Sequence, residues 1–253
     1  MLHFFTAPLP IEAFPRTPVS MPSPPPLGRV TRVLLGGAIL LSGRRVRALS
    51  ARMLVFLHLP LTQRGLQSLL TSALPGVKVT TVGRVADFER SLSQGQDVVL
   101  TLPIVLSANG LSPALRGHRG GRGDEAYAVV GLNSAPDPQR IKVIGALDLL
   151  GRAGTNAFVE GLLGRLPKVE RVTKVEDLLA LLQMQRADAI LLPERLIGDL
   201  RQVSRLNLVQ TTLSRRVQLP AATSTGPGGA EVLSLLKTLK GEVSRVLGVD
   251  DWR

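Results

Sequence analysis

Cysteine is absent from the 253 residues, which excludes disulfides, thiolate metal sites, a cysteine nucleophile and a lipid anchor on cysteine. Aromatic residues are scarce, with one Trp, one Tyr and six Phe, so few side chains can stack on bases or sugar rings. The three histidines, His3, His58 and His118, lack metal-ligand spacing, and no G-x-S-x-G elbow or Walker loop occurs. The Gly-rich stretch GHRGGRG opens no helix and is not a phosphate cradle. No metal, cofactor or catalytic residue is therefore expected.

Aliphatic bulk, by contrast, is plentiful. Hydrophobic residues make up 44% of the chain, enough for a sizeable core in one large or two smaller domains and too many for general disorder. The net charge of +12 is uneven: residues 1–52 hold seven Arg and one Glu, and Arg116, Arg119 and Arg122 fall in one short run. Without a basic stripe interleaved with aromatics, a nucleic-acid partner is not expected.

Residues 7–27 contain eight of the 18 prolines, which deny the backbone a helix. Arg29 and Arg32 then precede an apolar run at 33–41, followed at a short distance by Ala48, Leu49, Ser50 and Ala51, with small residues at a spacing of two. That is the order of a secretory signal, with cleavage after Ser50 and Met21 as an alternative start. The run is too short to span a bilayer, and Arg44, Arg45 and Arg47 oppose translocation of the residues beyond them. Export to the periplasm is the expectation, with a basic extension on a cytoplasmic protein as the alternative.

From residue 52 apolar strands alternate with amphipathic helices. Residues 53–59 (MLVFLHL) suit a strand buried on both faces, and Thr62 caps a helix carrying Leu66, Leu69, Leu70 and Ala73 on one face. Strands at 77–82 and 97–102 flank a second helix marked by Val85, Phe88 and Leu92. Residues 107–124, with five glycines, predict a mobile loop. Strands come next at 127–132 and 141–147, then a helix on Phe158, Val159, Leu162 and Leu163, and a strand at 168–172. Thr173 and Glu176 predict a capping box for the helix of Leu178 and Leu182. Strands at 189–193, 206–213 and 217–220 and one C-terminal helix from Val232 to Leu247 complete an α/β chain with largely parallel sheets.

The β-α-β-α-β opening, the strand YAVVGL, the strand-to-helix phrase IKVIGALDLLGRAGTNAF, the phrase VTKVEDLLALLQMQRADAILLPERL and the returning NLVQTTL resemble type II periplasmic substrate-binding proteins, in particular their phosphate and phosphonate-binding-like branch. The resemblance covers about 51–248. It implies two α/β lobes joined by a hinge, lobe one at 51–124 plus 206–253 and lobe two at 125–205, beyond a signal-like segment at 1–50. It also implies a monomer that binds a small anionic solute between the lobes, without catalysis, and delivers it to an ABC permease.

Candidate ligand groups come from the rule that α/β sheets bind ligands at strand C-terminal ends. Gly154, Thr155 and Asn156 open a helix whose free N–H groups would meet an anion, with Arg152 adding charge. His58 and Thr62 end the first strand and start the next helix; Thr101, Ser107 and Asn109 lie at and after the end of the third strand; Glu194 comes just after AILLP and suits a ligand amine or a hinge ion pair. Each residue also has a plain structural use, as cap, core or surface group. An enzyme acting on a small acid and an accessory or sensory domain that has lost its ligand are the alternative readings.

Overall fold

The computed structural model describes residues 51–253, so the signal-like segment lies outside the described residues. The first lobe opens with β1 (Arg52–Phe56), α1 (Gln63–Ala73), β2 (Lys78–Thr81), α2 (Val85–Ser93) and β3 (Val98–Thr101). β1 lies between β2 and β3 and pairs with both in parallel. Its residues Met53, Leu54 and Val55 are wholly buried, because side chains on both faces of this central strand meet packed elements. Thr62 caps α1 as expected, its hydroxyl accepting the Gly65 N–H at 3.1 Å.

Beyond β3 the chain departs from the expected loop. Pro103 starts a short helix, α3 (Pro103–Ala108), and β4 (Leu115–His118) is a strand inside the glycine-rich stretch. β5 (Asp124–Leu132) then enters the second lobe, succeeded by β6 (Val143–Leu147), α4 (Gly151–Leu163), β7 (Lys168–Val172), α5 (Val175–Gln183), β8 (Ala189–Pro193), α6 (Glu194–Val203) and β9 (Leu208–Gln218). The return to the first lobe brings β10 (Ala221–Ser224), α7 (Gly229–Thr238), α8 (Glu242–Leu247) and β11 (Asp251–Trp252).

The two sheets run β11-β4-β10-β3-β1-β2 and β7-β6-β8-β5-β9. Both are mixed rather than largely parallel. Strands linked by helix crossovers pair in parallel, whereas β10 and β5 lie antiparallel to both of their neighbours. The two strands expected at 206–213 and 217–220 are largely one, β9, which pairs along its length with β5. The return crossing therefore lies between Gln218 and Ala221 rather than at 205/206, and residues 208–218 belong with the second sheet.

Two smaller expectations also change. The C-terminal helix is broken in two at Gly241, whose φ of 66° favours glycine. Lys174, not Thr173, is the N-cap of α5, and it makes no side-chain capping bond.

One apolar cluster packs Met53, Val55, Leu66, Leu70, Val232 and Leu236 together in the first lobe. The other runs without a break from Leu54, Phe56 and Phe88 in the first lobe to Tyr127, Leu147 and Phe158 in the second. The lobes are thus joined by side-chain packing as well as by backbone.

Candidate functional site

The C-terminal ends of β1, β3, β6 and β8 converge on one crevice between the lobes. Phe56, Leu59, Leu102, Tyr127, Leu147 and Pro193 fill it, leaving a cavity of about 20 Å³. That is room for about one water molecule, not for a solute. The polar groups at its edge are Glu125 and Arg195, paired at 2.9 Å, and the ring of His58. Burial raises the Glu125 carboxyl, with the Arg195 guanidinium opposing the shift. Burial also pushes the Tyr127 phenol up.

His58 is the unusual member. Its ring stands edge-on to Phe56 with centroids 5.1 Å apart, and both ring nitrogens are buried without a partner at hydrogen-bonding geometry. Burial lowers its pKa to about 4, against the opposing influence of the Gly83 backbone and the Asp148 carboxylate, so the ring is neutral at pH 7. An unpartnered buried imidazole is costly, which makes the space beside it the place to look for a ligand.

That space is a groove of about 560 Å³ in which the starts of α1 and α5 face each other across the lobes. His58, Thr62 and Arg64 line one wall; Lys174, Glu176 and Asp177 line the other. The first N–H groups of a helix have no intrahelical acceptor, and here two helix starts with their positive dipole ends meet at one groove. Gln63 contributes a buried side-chain carbonyl oxygen without a donor. Arg64 and Lys174 on one side of the balance and Glu176 and Asp177 on the other give the groove both signs of charge.

A second groove, of about 540 Å³, lies elsewhere between the lobes, formed by α3, the flank of α4 and the end of β9. Its walls are mainly apolar, and it shares no lining residue with the first groove.

The residues singled out in the sequence distribute across these features. His58 and Thr62 line the first groove, and Ser107 and Gly154 line the second. Thr101 is wholly buried and donates to the Phe56 carbonyl at 2.6 Å, tying β3 to β1. Asn109 donates to the Val105 carbonyl at 2.9 Å. Glu194 accepts from Gln210 and Thr212, each at 2.9 Å, and fastens the start of α6 to β9.

At the start of α4 the geometry differs from the anion cradle expected there. The Thr155 hydroxyl is buried, donates to Asp148 at 3.0 Å and accepts the Leu150 N–H at 3.2 Å, while Arg171 holds the other Asp148 oxygen at 2.8 Å. This cluster closes the strand-to-helix turn, so the hydroxyl is engaged within the fold. A Cβ added at Gly154 would lie 2.4 Å from the Leu150 Cβ, which explains the glycine by packing. Arg152 is exposed, and neither it nor Asn156 lines either groove.

Glu125, Arg195, Lys174 and Asp177 were not singled out from sequence. A Glu opening an otherwise apolar strand was the one local signal for Glu125; its partner lies 70 residues away, where no sequence pattern points.

No protein-family model and no curated protein matches the chain. Solved structures do. XAC2383 from Xanthomonas citri, bound to a chloride ion, superposes with a TM-score of 0.57 at 14% identity, covering 81% of this chain and 91% of that one. The periplasmic VFT2 domain of Bordetella pertussis BvgS gives 0.53 at 12% identity over 78% and 92% of the two chains. The substrate-binding protein of an amino acid ABC transporter gives 0.51 at 16% identity over 78% and 91%. The fold is that of the type II periplasmic binding proteins. Within this fold the likenesses carry architecture alone and do not single out the phosphate and phosphonate branch. Among the described residues, no helix is long and apolar enough to cross a membrane.

Proposed function

We propose that this chain is a non-catalytic binder of a small solute, and that it holds the solute's anionic group in the groove between the starts of α1 and α5. The observation that carries the reading is the meeting of two helix starts from different lobes beside the unpartnered His58 ring. Thr62 fixes the α1 start, and Arg64 and Lys174 supply positive charge. The carboxylates of Glu176 and Asp177 suit a cationic group on the same molecule or a bridging donor. Phosphate, phosphonates and small carboxylates, zwitterions included, are the solutes to test. The structural neighbours that support a binding role include XAC2383, solved bound to chloride and bound to ATP, and a protein described as the substrate-binding protein of an amino acid ABC transporter. Delivery to an ABC permease from an exported, monomeric state is the physiological setting this reading implies.

A thermal-shift screen of the full chain against inorganic phosphate, methylphosphonate, sulfate, glutamate and arginine tests it. A ligand at a hundred times its dissociation constant adds about 2.7 kcal/mol. Stabilisation by one of them, abolished in R64A/K174A, is the expected result; equal stabilisation of the double variant would remove this groove from the site.

One observation favours a second reading, an accessory or sensory domain that has kept the fold without a ligand. The central crevice, where α/β sheets ordinarily bind ligands, is filled by apolar side chains down to about 20 Å³. Under that reading none of the five compounds shifts the melting temperature.

A further inference from the structure

The groove formed by α3, the flank of α4 and the end of β9 has the features of a second binding site. Its volume of about 540 Å³ falls in the range of small-molecule pockets. Its walls include Ile104, Leu150, Phe158 and Val217, and Ile104 leaves 37% of its surface to solvent. Gly154, Ala157 and Gly161, spaced along one side of α4, all line it, so small residues form a shallow strip beside Phe158 and Leu162 of the same helix. Nothing lies within 4 Å of where a Cβ would stand on Gly161.

The rim is basic. Asp124 is shared between Arg216, which bonds it directly, and Arg122 at 3.8 Å. Arg215 donates to the Gly161 carbonyl on α4, and Arg116 holds the side-chain oxygen of Gln218 at 3.2 Å. Arg216 thus lines the groove and Arg116, Arg122 and Arg215 stand next to it, while the nearby carboxylates are Asp124 and the Arg195-paired Glu125, so guanidinium groups are in excess. An apolar trough ending at surplus guanidinium charge is complementary to a molecule with an apolar body and an acidic head.

We propose that this groove binds a small amphipathic carboxylate, its aliphatic chain along the Gly154–Ala157–Gly161 side of α4 and its carboxylate at Arg216. The site is separate from the one proposed at the α1 and α5 starts. It involves α4 through its flank and not through its N-terminal N–H groups.

Calorimetry on the full chain with octanoate tests the proposal, with 1-octanol and inorganic phosphate as comparisons. Octanoate is expected to bind at one per chain, octanol at least tenfold more weakly, and phosphate is expected not to compete. Ala157 is exposed on α4, so A157W fills the trough from its surface and is expected to abolish octanoate binding; R216Q is expected to weaken it about tenfold. I104E, on the opposite wall, provides the same block independently should A157W fail to fold. Absence of octanoate binding to the wild type, or binding that survives both blocking variants, overturns the proposal. Neither result bears on phosphate or amino acid binding in the other groove, where R64A/K174A is the reporter.

Discussion

Glu125 on β5 and Arg195 on α6 form an ion pair at 2.9 Å with only 11% and 12% of their side chains exposed. Arg195 also packs against the first lobe, since a Cβ added at Gly248 would lie 2.8 Å from its Nε. The pair therefore sits at the seam between the lobes. Removing one partner of such a pair leaves the other charge buried and unmatched. R195M is expected to lose roughly 3–5 kcal/mol in urea denaturation.

The same pair gives a pH signature. Burial raises the Glu125 pKa in the folded state, so the folded state holds its proton more tightly than the unfolded chain does. Stability from this group is fullest below the unfolded carboxylate pKa and falls as pH rises through the folded one. Arg195 moderates the rise, so R195M should lose more stability at pH 8 than at pH 5. R195M/E125L should recover most of the loss and flatten the difference; denaturation curves at the two pH values check both statements.

His58 has the opposite dependence. Its folded pKa of about 4 lies below the unfolded value of 6.5, so its contribution is fully present above pH 6.5 and is lost as pH falls towards 4. The magnitude is about 3 kcal/mol, from 1.36 kcal/mol per unit. H58L should remove this acid-side loss, and ring proton NMR of the wild type should place the His58 titration near pH 4.

Phe56 stacks on Phe88 with ring centroids 5.1 Å apart and belongs to the apolar cluster that crosses between the lobes. F56A is expected to cost about 3–5 kcal/mol by loss of buried surface and creation of a cavity. Because the cavity would open into the central crevice, binding of a hydrophobic dye under native conditions should increase; unchanged dye binding would mean that the lobes close over the gap.

At the start of α4, T155V should destabilise by about 1–3 kcal/mol, because Asp148 and the Leu150 N–H lose their hydroxyl partner. Arg152 is exposed and lines neither groove, so R152A should leave both stability and solute affinity unchanged. Denaturation and calorimetry on the two variants separate a structural turn from an anion cradle.

Much of the fold could be read from the chain because burial and periodicity agree. The run at β1 is apolar on both faces and buried on both, and Thr62 caps α1 with the hydroxyl that its position suggests. β9 was harder to read: Ser214, Arg215 and Arg216 interrupt its apolar pattern because the strand forms an edge of its sheet and leaves them exposed. β4 hid among glycines, one of which, Gly117, is required by close contact, since an added Cβ would lie 2.6 Å from Val249. His58 and Thr62 could be picked out by their place at a strand end. Lys174, Glu176 and Asp177 could not, because only the packing of one lobe on the other brings the α5 start opposite α1.

The most direct measurement is a backbone amide NMR titration of the full chain with the compound that gives the largest thermal shift among phosphate, methylphosphonate, sulfate, glutamate and arginine. Binding in the groove between α1 and α5 predicts saturable shifts centred on Gln63, Arg64, Val175 and Glu176, with the His58 ring moving in step. Shifts centred on residues 151–156, or none at the starts of α1 and α5, would contradict binding in this groove.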